Sequence, residues 1–323
     1  YFLTANIQTI SENSTNHING HAAADIVEAI KDECTKNHAG IYIIEEKDII
    51  TRKILSFDEV EHELENFVGQ AKIKNTLLEI VSQVQQNMKI ETITGKKPDM
   101  GLNFIFQGTP GIGKSEIARF CAKFFYSIGY FSNDKIIEVS HANLVGRYLG
   151  ETSIKTLNKL NEALGHVLFI DEAYTLANPQ TYGQESIDTI MKFIEDNRGR
   201  LVVILAGYPD RMRQFLQTNP GLSSRFTDIF TFEEYTEDEL NQFLLKIFPS
   251  EVNYTYTEDA KKAAKEATAW LIENKTEKFA NARTIRTLYN RIKEKQSKRT
   301  SQNDISTDLF LITKQDVEKG FAK

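Results

Sequence analysis

The chain has 323 residues, 41% of them hydrophobic and 26% charged, with a formal net charge of −6. That size and composition allow a large buried core and two domains, and they exclude collagen-like, low-complexity and disulfide-scaffold proteins. The acidic balance gives no general electrostatic footprint for nucleic acid, and Cys34 and Cys121 are too far apart in sequence for a CxxC metal or redox pair. No apolar run approaches the ~20 residues that span a bilayer, and no secretory pattern occurs, so a cytoplasmic protein with reduced thiols is expected.

Residues 1–21, rich in Asn, Ser and Thr around Asn13 to Asn16, predict a flexible tail or linker. His17 and His21 have the four-residue spacing of helical metal ligands, but their polar surroundings argue against a metal site. Residues 22–60 predict an N-terminal extension, with a short amphipathic helix carrying Ile26, Val27 and Ile30 and a possible strand from Ile41 to Ile44. A large α/β domain is expected over 61–232, opening on a helical period through Ile73, Leu77, Ile80, Val81 and Val84. Mostly apolar strands are predicted at 102–107, 135–139, 167–170 and 201–206, alternating with helices. That alternation predicts a parallel sheet covered on both faces, the three-layer P-loop α/β sandwich.

The segment from Gly108 to Ser115 is a complete G-x-x-x-x-G-K-[ST] motif, set between a strand and a helix whose apolar face carries Ile117, Phe120, Cys121, Phe124 and Phe125. A triphosphate needs many hydrogen-bond donors converging on it without side-chain bulk, which glycine-rich backbone and a helix N-terminus supply. Thr109, Pro110, Gly111, Ile112, Gly113, Lys114, Ser115 and Glu116 are the expected nucleotide contacts. Lys114 is assigned to the β/γ-phosphates and Ser115 to Mg²⁺. About 55 residues on, the run Val167 to Ile170 ends in Asp171 and Glu172, a Walker B pattern. There Asp171 supports Mg²⁺ and Glu172 polarises the attacking water. A Mg²⁺-bound triphosphate is therefore the expected ligand, and the resemblance described below implies that it is ATP.

After Phe232 the strand signals stop, and helical patterns at 236–248, 257–273 and 282–297 predict a small helical lid over 233–323. Ala260, Ala263, Ala264, Ala267, Trp270 and Leu271 share its second helix's apolar face. The apolar stretch Leu309 to Ile312 precedes a capping-type helix start at Thr313 to Asp316.

These motifs, with Leu144 to Gly150, Leu201 to Tyr208, Asn219 to Phe226 and Phe279 to Arg286, resemble the AAA+ ATPases. The resemblance covers roughly residues 61–320. It is strongest to the branch that contains red-type Rubisco activase, the mycobacterial type VII secretion ATPases and stage V sporulation protein K. It implies an AAA+ large domain over 61–232 and an AAA+ lid over 233–323. It also implies that Arg225 is an arginine finger offered to a neighbouring subunit and that Arg283 is the lid's sensor arginine. Val68 and Gly69 match the segment whose backbone recognises adenine. Arg147, Tyr148 and Leu149 match the pore loop that grips a threaded polypeptide, a task suited to a sequence-tolerant aromatic contact. One departure stands out. The family commonly ends its fourth strand in a polar sensor such as Asn, whereas this chain reads Ala206, Gly207, Tyr208, Pro209.

The resemblance therefore implies a Mg²⁺-dependent, chaperone-like ATPase that forms a hexameric ring of identical subunits and remodels or partly threads a protein client. Two alternatives stay open at this stage. One is a nucleotide-switched assembly scaffold. The other is a nucleic-acid motor or clamp loader, motivated by Arg283, Arg286, Arg291, Lys293, Lys295, Lys298 and Arg299 and disfavoured by the interleaved Glu294.

Overall fold

The computed structural model describes residues 56–96, 101–148, 150–226, 228–301 and 309–322. The expected tail 1–21, nearly all of the 22–60 extension, His17, His21, Cys34 and Leu149 lie outside the described residues. The first described helix, α1 (Phe57–Glu65), spans residue 60 and is opened by a capping box: Ser56 Oγ accepts from the Glu59 amide at 3.2 Å, and Glu59 Oε2 accepts from the Ser56 amide at 2.8 Å. Helix α2 (Ala71–Thr94) follows, burying the expected stripe of Ile73, Leu77, Ile80, Val81 and Val84.

The α/β body then runs β1 (Asn103–Gln107), α3 (Lys114–Ser127), β2 (Ile136–Val139), α4 (Glu151–Glu162), β3 (Val167–Ile170), α5 (Gly183–Asp196), β4 (Val202–Gly207), α6 (Pro209–Thr218) and β5 (Asp228–Thr231). All five strands are parallel in the order β2-β3-β4-β1-β5. Alternation along each strand sends side chains to opposite faces. Phe104 and Phe106 pack into the core shared with α1, α2 and α3, while Ile105, Leu168 and Ile170 join the core beneath α4 and α5. With both faces covered, β4 is buried along its whole length. The Cys121 thiol, fully buried on α3, is pushed up to about 12 by that burial and is an inert core group.

Strand β5 was not foreseen. It is an edge strand with only Phe230 fully inward and Ile229 51% exposed, so it carries no continuous apolar run to read.

The lid comprises α7 (Glu237–Gln242, continued by a π turn through Ile247), β6 (Thr255–Tyr256), α8 (Glu258–Glu273), α9 (Asn281–Ser301), β7 (Leu311–Ile312) and α10 (Lys314–Phe321). It is not wholly helical. β6 and β7 pair in parallel, Thr255 with Leu311 and Tyr256 with Ile312, and two-residue strands are too short to show a period. Four alanines of α8 are buried as expected, but Trp270 is 40% exposed against the edge of Phe321, and Thr268 takes the inner position. The basic cluster disperses: Arg286 forks onto Glu251, Lys298 pairs with Glu294, and Arg299 turns inward to Asp316. Three of its seven cations are thus taken up by carboxylates.

That last pair fixes the C-terminal helix. Asp316 is 2% exposed, accepts from Arg299 Nε at 3.0 Å and from the Thr313 amide at 2.9 Å, and so also caps α10. Burial by itself raises its carboxyl, but the hydrogen bonds from Arg299 and Thr313 outweigh it and leave the group below the usual carboxylate range. The contribution is therefore present at neutral pH and lost as pH falls through that lowered value. Asp316→Ala is expected to cost about 3 kcal/mol, because it leaves Arg299 buried without its partner. A urea unfolding midpoint unchanged from the parent would contradict this.

Candidate functional site

The sheet's register brings three motifs to one edge. Gln107 pairs with Gly207 and Ile170 with Leu205, so β1, β3 and β4 end side by side. The Gly108 amide donates to the Gly207 carbonyl at 3.0 Å, and the Asp171 amide to the Val139 carbonyl at 2.9 Å. Brought together at these C-terminal ends are the P-loop, the Asp171–Glu172 pair and Tyr208, as ligand crevices in open parallel sheets require. Together with lid residues they line a cleft of about 650 Å³.

The P-loop is held from outside. Gly111 and Gly113 are left-handed, with φ of 71° and 94°. A Cβ on Gly111 would lie 2.1 Å from the Ala280 carbonyl oxygen, and one on Gly113 would lie 2.6 Å from the Phe67 ring and 3.0 Å from the Tyr235 hydroxyl. That hydroxyl donates to the Ile112 carbonyl at 3.1 Å. The Ala282 amide donates to the Gly111 carbonyl at 3.2 Å, and Asn281 Nδ2 donates to Thr109 Oγ1 at 3.1 Å. Lid and body thus tie the loop's carbonyls from its outer side, and α3 begins at Lys114 with its first-turn amides free of helical partners. Such an N-terminus, with no Cβ in the way, suits a polyphosphate.

Charge is paired across the cleft. Lys114 donates to the carbonyls of Gly108 and Thr109 at 2.8 and 2.9 Å. Its ammonium is held below the ordinary lysine value, by burial first and also by Arg283, against the opposing pull of Asp171 and Glu172. Ser115, Glu116 and Arg283 line the same cleft. Glu172 sits in a left-handed backbone conformation at φ 49°, a strained position for a non-glycine residue of the kind that gathers at functional sites. Glu116 pairs with Arg119 at the cleft's margin.

Not every expected residue turns its side chain into the cleft, and the expectations for Val68, Gly69 and Ile112 concern their backbone. Val68 is in the core and Gly69 packs against Glu239 and Tyr235, whereas their neighbour Phe67 faces the cleft. Ile112 is buried beneath the loop. Arg225 is not among the described residues lining the cleft. Its carbonyl accepts from Asn103 at the start of β1, and its guanidinium faces Glu195 with Nε 3.2 Å away and donates to the Gly221 carbonyl at 3.1 Å. Tyr148 stands 71% exposed beside Arg147, remote from these groups in sequence and burial.

Sequence reading missed Tyr235 and Asn281. Asn281 is 1% exposed and left-handed at φ 46°, and it stood beside Arg283 in a motif read only for its arginine.

A model of the AAA family, ATPases associated with various cellular activities, matches residues 104–234, and an AAA lid model matches residues 236–323. The chain belongs to the AAA ATPase family. It is accordingly an ATP hydrolase. It is 37% identical over 276 residues to a CfxQ homologue of Galdieria sulphuraria, covering 83% of this chain and 89% of that protein. It is 34% identical to the chloroplastic ribulose bisphosphate carboxylase/oxygenase activase of Cyanidioschyzon merolae, covering 81% and 90%. Stage V sporulation protein K of Bacillus subtilis is also 34% identical, covering 80% and 82%. These are the relatives the sequence motifs implied. Among solved structures, the AAA domain of FIGL-1 in complex with ADP superposes with a TM-score of 0.56 at 15% identity, covering 95% of this chain and 91% of that one, which supports the fold alone.

If the P-loop's outer restraints matter as described, Gly111→Ala forces a methyl onto the Ala280 carbonyl in a left-handed conformation. Its affinity for a fluorescent ATP analogue should fall at least about tenfold, since the clash and the φ penalty each cost about 1 kcal/mol or more. Retained affinity would show that the loop and lid can separate freely.

Proposed function

We propose that this ATPase works as a head-to-tail ring of identical subunits, six in the resemblance, in which each cleft is completed by the neighbour's Arg225 and the released energy pulls on a protein client. One observation carries the reading: Arg225 lies at the wrong end of the sheet to serve its own cleft. Its main-chain carbonyl sits by Asn103, where β1 starts, and its guanidinium is held against Glu195 near the end of α5 and the Gly221 carbonyl, while the P-loop begins after Gln107. At about 3.3 Å per residue those ends are roughly 13 Å apart. A guanidinium held there acts on another molecule's nucleotide or on none, and a heterologous contact of that kind closes into rings.

Within the cleft, Gly111 to Glu116 offer amides to the phosphates and Lys114 supplies charge. Arg283 joins the lid to the same anion. Glu172 orients and deprotonates the water that attacks the γ-phosphate, and the neighbour's Arg225 stabilises charge spreading over its oxygens. Ser115 and Asp171 present hard oxygen donors at the cleft. Among the described residues no cluster of three His, Cys, Asp or Glu could hold a metal without help, and this fits Mg²⁺, which takes one or two protein oxygens plus phosphate and water. When bound, the ion supplies neutralisation of phosphate charge. A relative named as an activase of ribulose bisphosphate carboxylase/oxygenase supports a protein client, and exposed Tyr148 is the assigned grip.

The trans arrangement has a complementation test. Glu172→Gln and Arg225→Ala should each lower steady-state turnover by about 10³-fold while keeping nucleotide affinity. Mixed in equal amounts they should regain roughly a quarter of parental activity, because one site in four then joins an intact cleft to an intact arginine. Mixtures as inactive as the separate variants would exclude a shared site.

Tyr148→Ala is expected to leave basal hydrolysis within about twofold and to abolish its stimulation by an unstructured polypeptide such as reduced casein, since loss of one exposed aromatic removes grip without touching the cleft. Stimulation equal to the parent's would remove Tyr148 from the role.

A further inference from the structure

Asn281, the first residue of α9, carries two features that packing does not account for. It is 1% exposed and left-handed at φ 46°, a backbone that asparagine tolerates but glycine adopts more freely. Its Oδ1 is buried and has no hydrogen-bond partner among the described residues, which costs free energy in any protein interior. Neither feature favours stability, and both attend a side chain that reaches across to the P-loop.

The other end of the amide is engaged. Nδ2 donates to Thr109 Oγ1 at 3.1 Å and lies 3.5 Å from the Pro110 carbonyl, the second and third residues of the P-loop motif. The next residue continues the contact, the Ala282 amide donating to the Gly111 carbonyl at 3.2 Å. On either side of this pair, the Ala280 carbonyl and Arg283 Cβ stand 2.1 and 3.0 Å from the place a Gly111 Cβ would take. Residues 280–283 therefore follow the outer side of residues 109–111, and the last of the four is Arg283. Its side chain lines the cleft, near enough to Lys114 to oppose that lysine's charge.

An arginine stem is long and flexible, so where its guanidinium spends its time depends on where the start of its helix is held. A single hydrogen bond between helix and loop is a hinge. Two, made by adjacent residues to positions 109 and 111, define an orientation and remove most of that freedom before the nucleotide arrives. The Ala282 bond is main chain to main chain and is open to any residue at 281, whereas the bond to Thr109 needs the side-chain amide. We propose that Asn281 is a positioning residue for nucleotide recognition: its amide locks the start of α9 to Thr109, so that Arg283 is delivered to the terminal phosphate and the cleft distinguishes triphosphate from diphosphate. This rests on the reading of Arg283 as the lid's contact with the nucleotide anion.

Asn281→Gly suits the left-handed backbone, leaves the Ala282 bond available and deletes the side-chain amide. Affinities are read in Mg²⁺ with fluorescent derivatives of ADP and of the β,γ-imido analogue of ATP. The variant should bind the ADP derivative within about twofold of the parent, which also certifies its fold, and the triphosphate analogue about tenfold more weakly, as loss of one hydrogen bond to a charged group predicts. Arg283→Ala should lose the same preference, and Asn281→Gly combined with Arg283→Ala should lose no more than Arg283→Ala does. Equal weakening toward both nucleotides in Asn281→Gly would mark a merely structural residue and overturn the inference. Parental affinity for both, or additive losses in the double variant, would overturn it too. A parental preference in Arg283→Ala is a separate result, which removes Arg283 from the phosphate and the role of Asn281 with it.

Discussion

Everything chemical in this molecule depends on hydrogen bonds to the outside of the P-loop. A loop that must turn its amides inward needs its carbonyls satisfied elsewhere, because unpaired buried carbonyls are costly. Here Tyr235 donates to Ile112 and the Ala282 amide donates to Gly111 from outside, while Lys114, which lines the cleft, donates to Gly108 and Thr109. The close approach of Ala280 and of Phe67 makes glycine the only residue that fits at 111 and 113. Because one of these donors begins α9, the lid's position and the loop's shape are a single structural variable.

The cleft's electrostatics follow from the same packing. Lys114 and Arg283 bring two positive groups to a half-buried site whose opposing carboxylates, Asp171 and Glu172, come from a different strand end. Burial disfavours the lysine's charge, and the carboxylates oppose this only in part. A polyphosphate that displaces the carbonyl contacts of Lys114 therefore meets a cation already oriented and incompletely solvated, where Coulomb attraction is stronger than in water. The arrangement spends little reorganisation at the moment of binding.

Legibility in the sequence followed the size of the local signal. The P-loop and the strand ending in Asp171 and Glu172 were readable because many donors and acceptors must come from adjacent residues, and the three inner strands β1, β3 and β4 because burial on both faces leaves largely unbroken apolar runs, while edge strand β2 was readable from Ile136, Ile137 and Val139 around an exposed Glu138. Edge strand β5 and the β6–β7 pair were not, since one has a single covered face and the others only two residues each. Trp270 shows the limit of periodicity: it shares the alanine face by count, yet the lid is too thin to enclose an indole. Tyr235 and Asn281 act through contacts with residues far along the chain, and such contacts leave no pattern in neighbouring letters. Gly207 is the instructive case. Read alone it marks a missing sensor; in three dimensions it is the vacancy that lets Tyr174 stand there.

Arg225 poses a last physical question, whether an arginine already paired with Glu195 can be released to serve a neighbour. The Arg225 side chain is 30% exposed and that of Glu195 45%, with 3.2 Å between Nε and the carboxylate, and Glu195 also pairs with Arg198 at 3.0 Å. Solvent screens such a contact, and pairs of this exposure contribute at most about 1 kcal/mol. Losing it leaves no orphan carboxylate, since Arg198 remains. In the proposed ring the same guanidinium meets a multiply charged phosphate from which water is largely excluded, and there charge-assisted, forked hydrogen bonds are stronger. The exchange is therefore favourable by a margin that grows with the negative charge on the phosphate. The Glu195 contact holds the side chain at the surface in a defined place without competing seriously for it, which is the balance a shared active site requires.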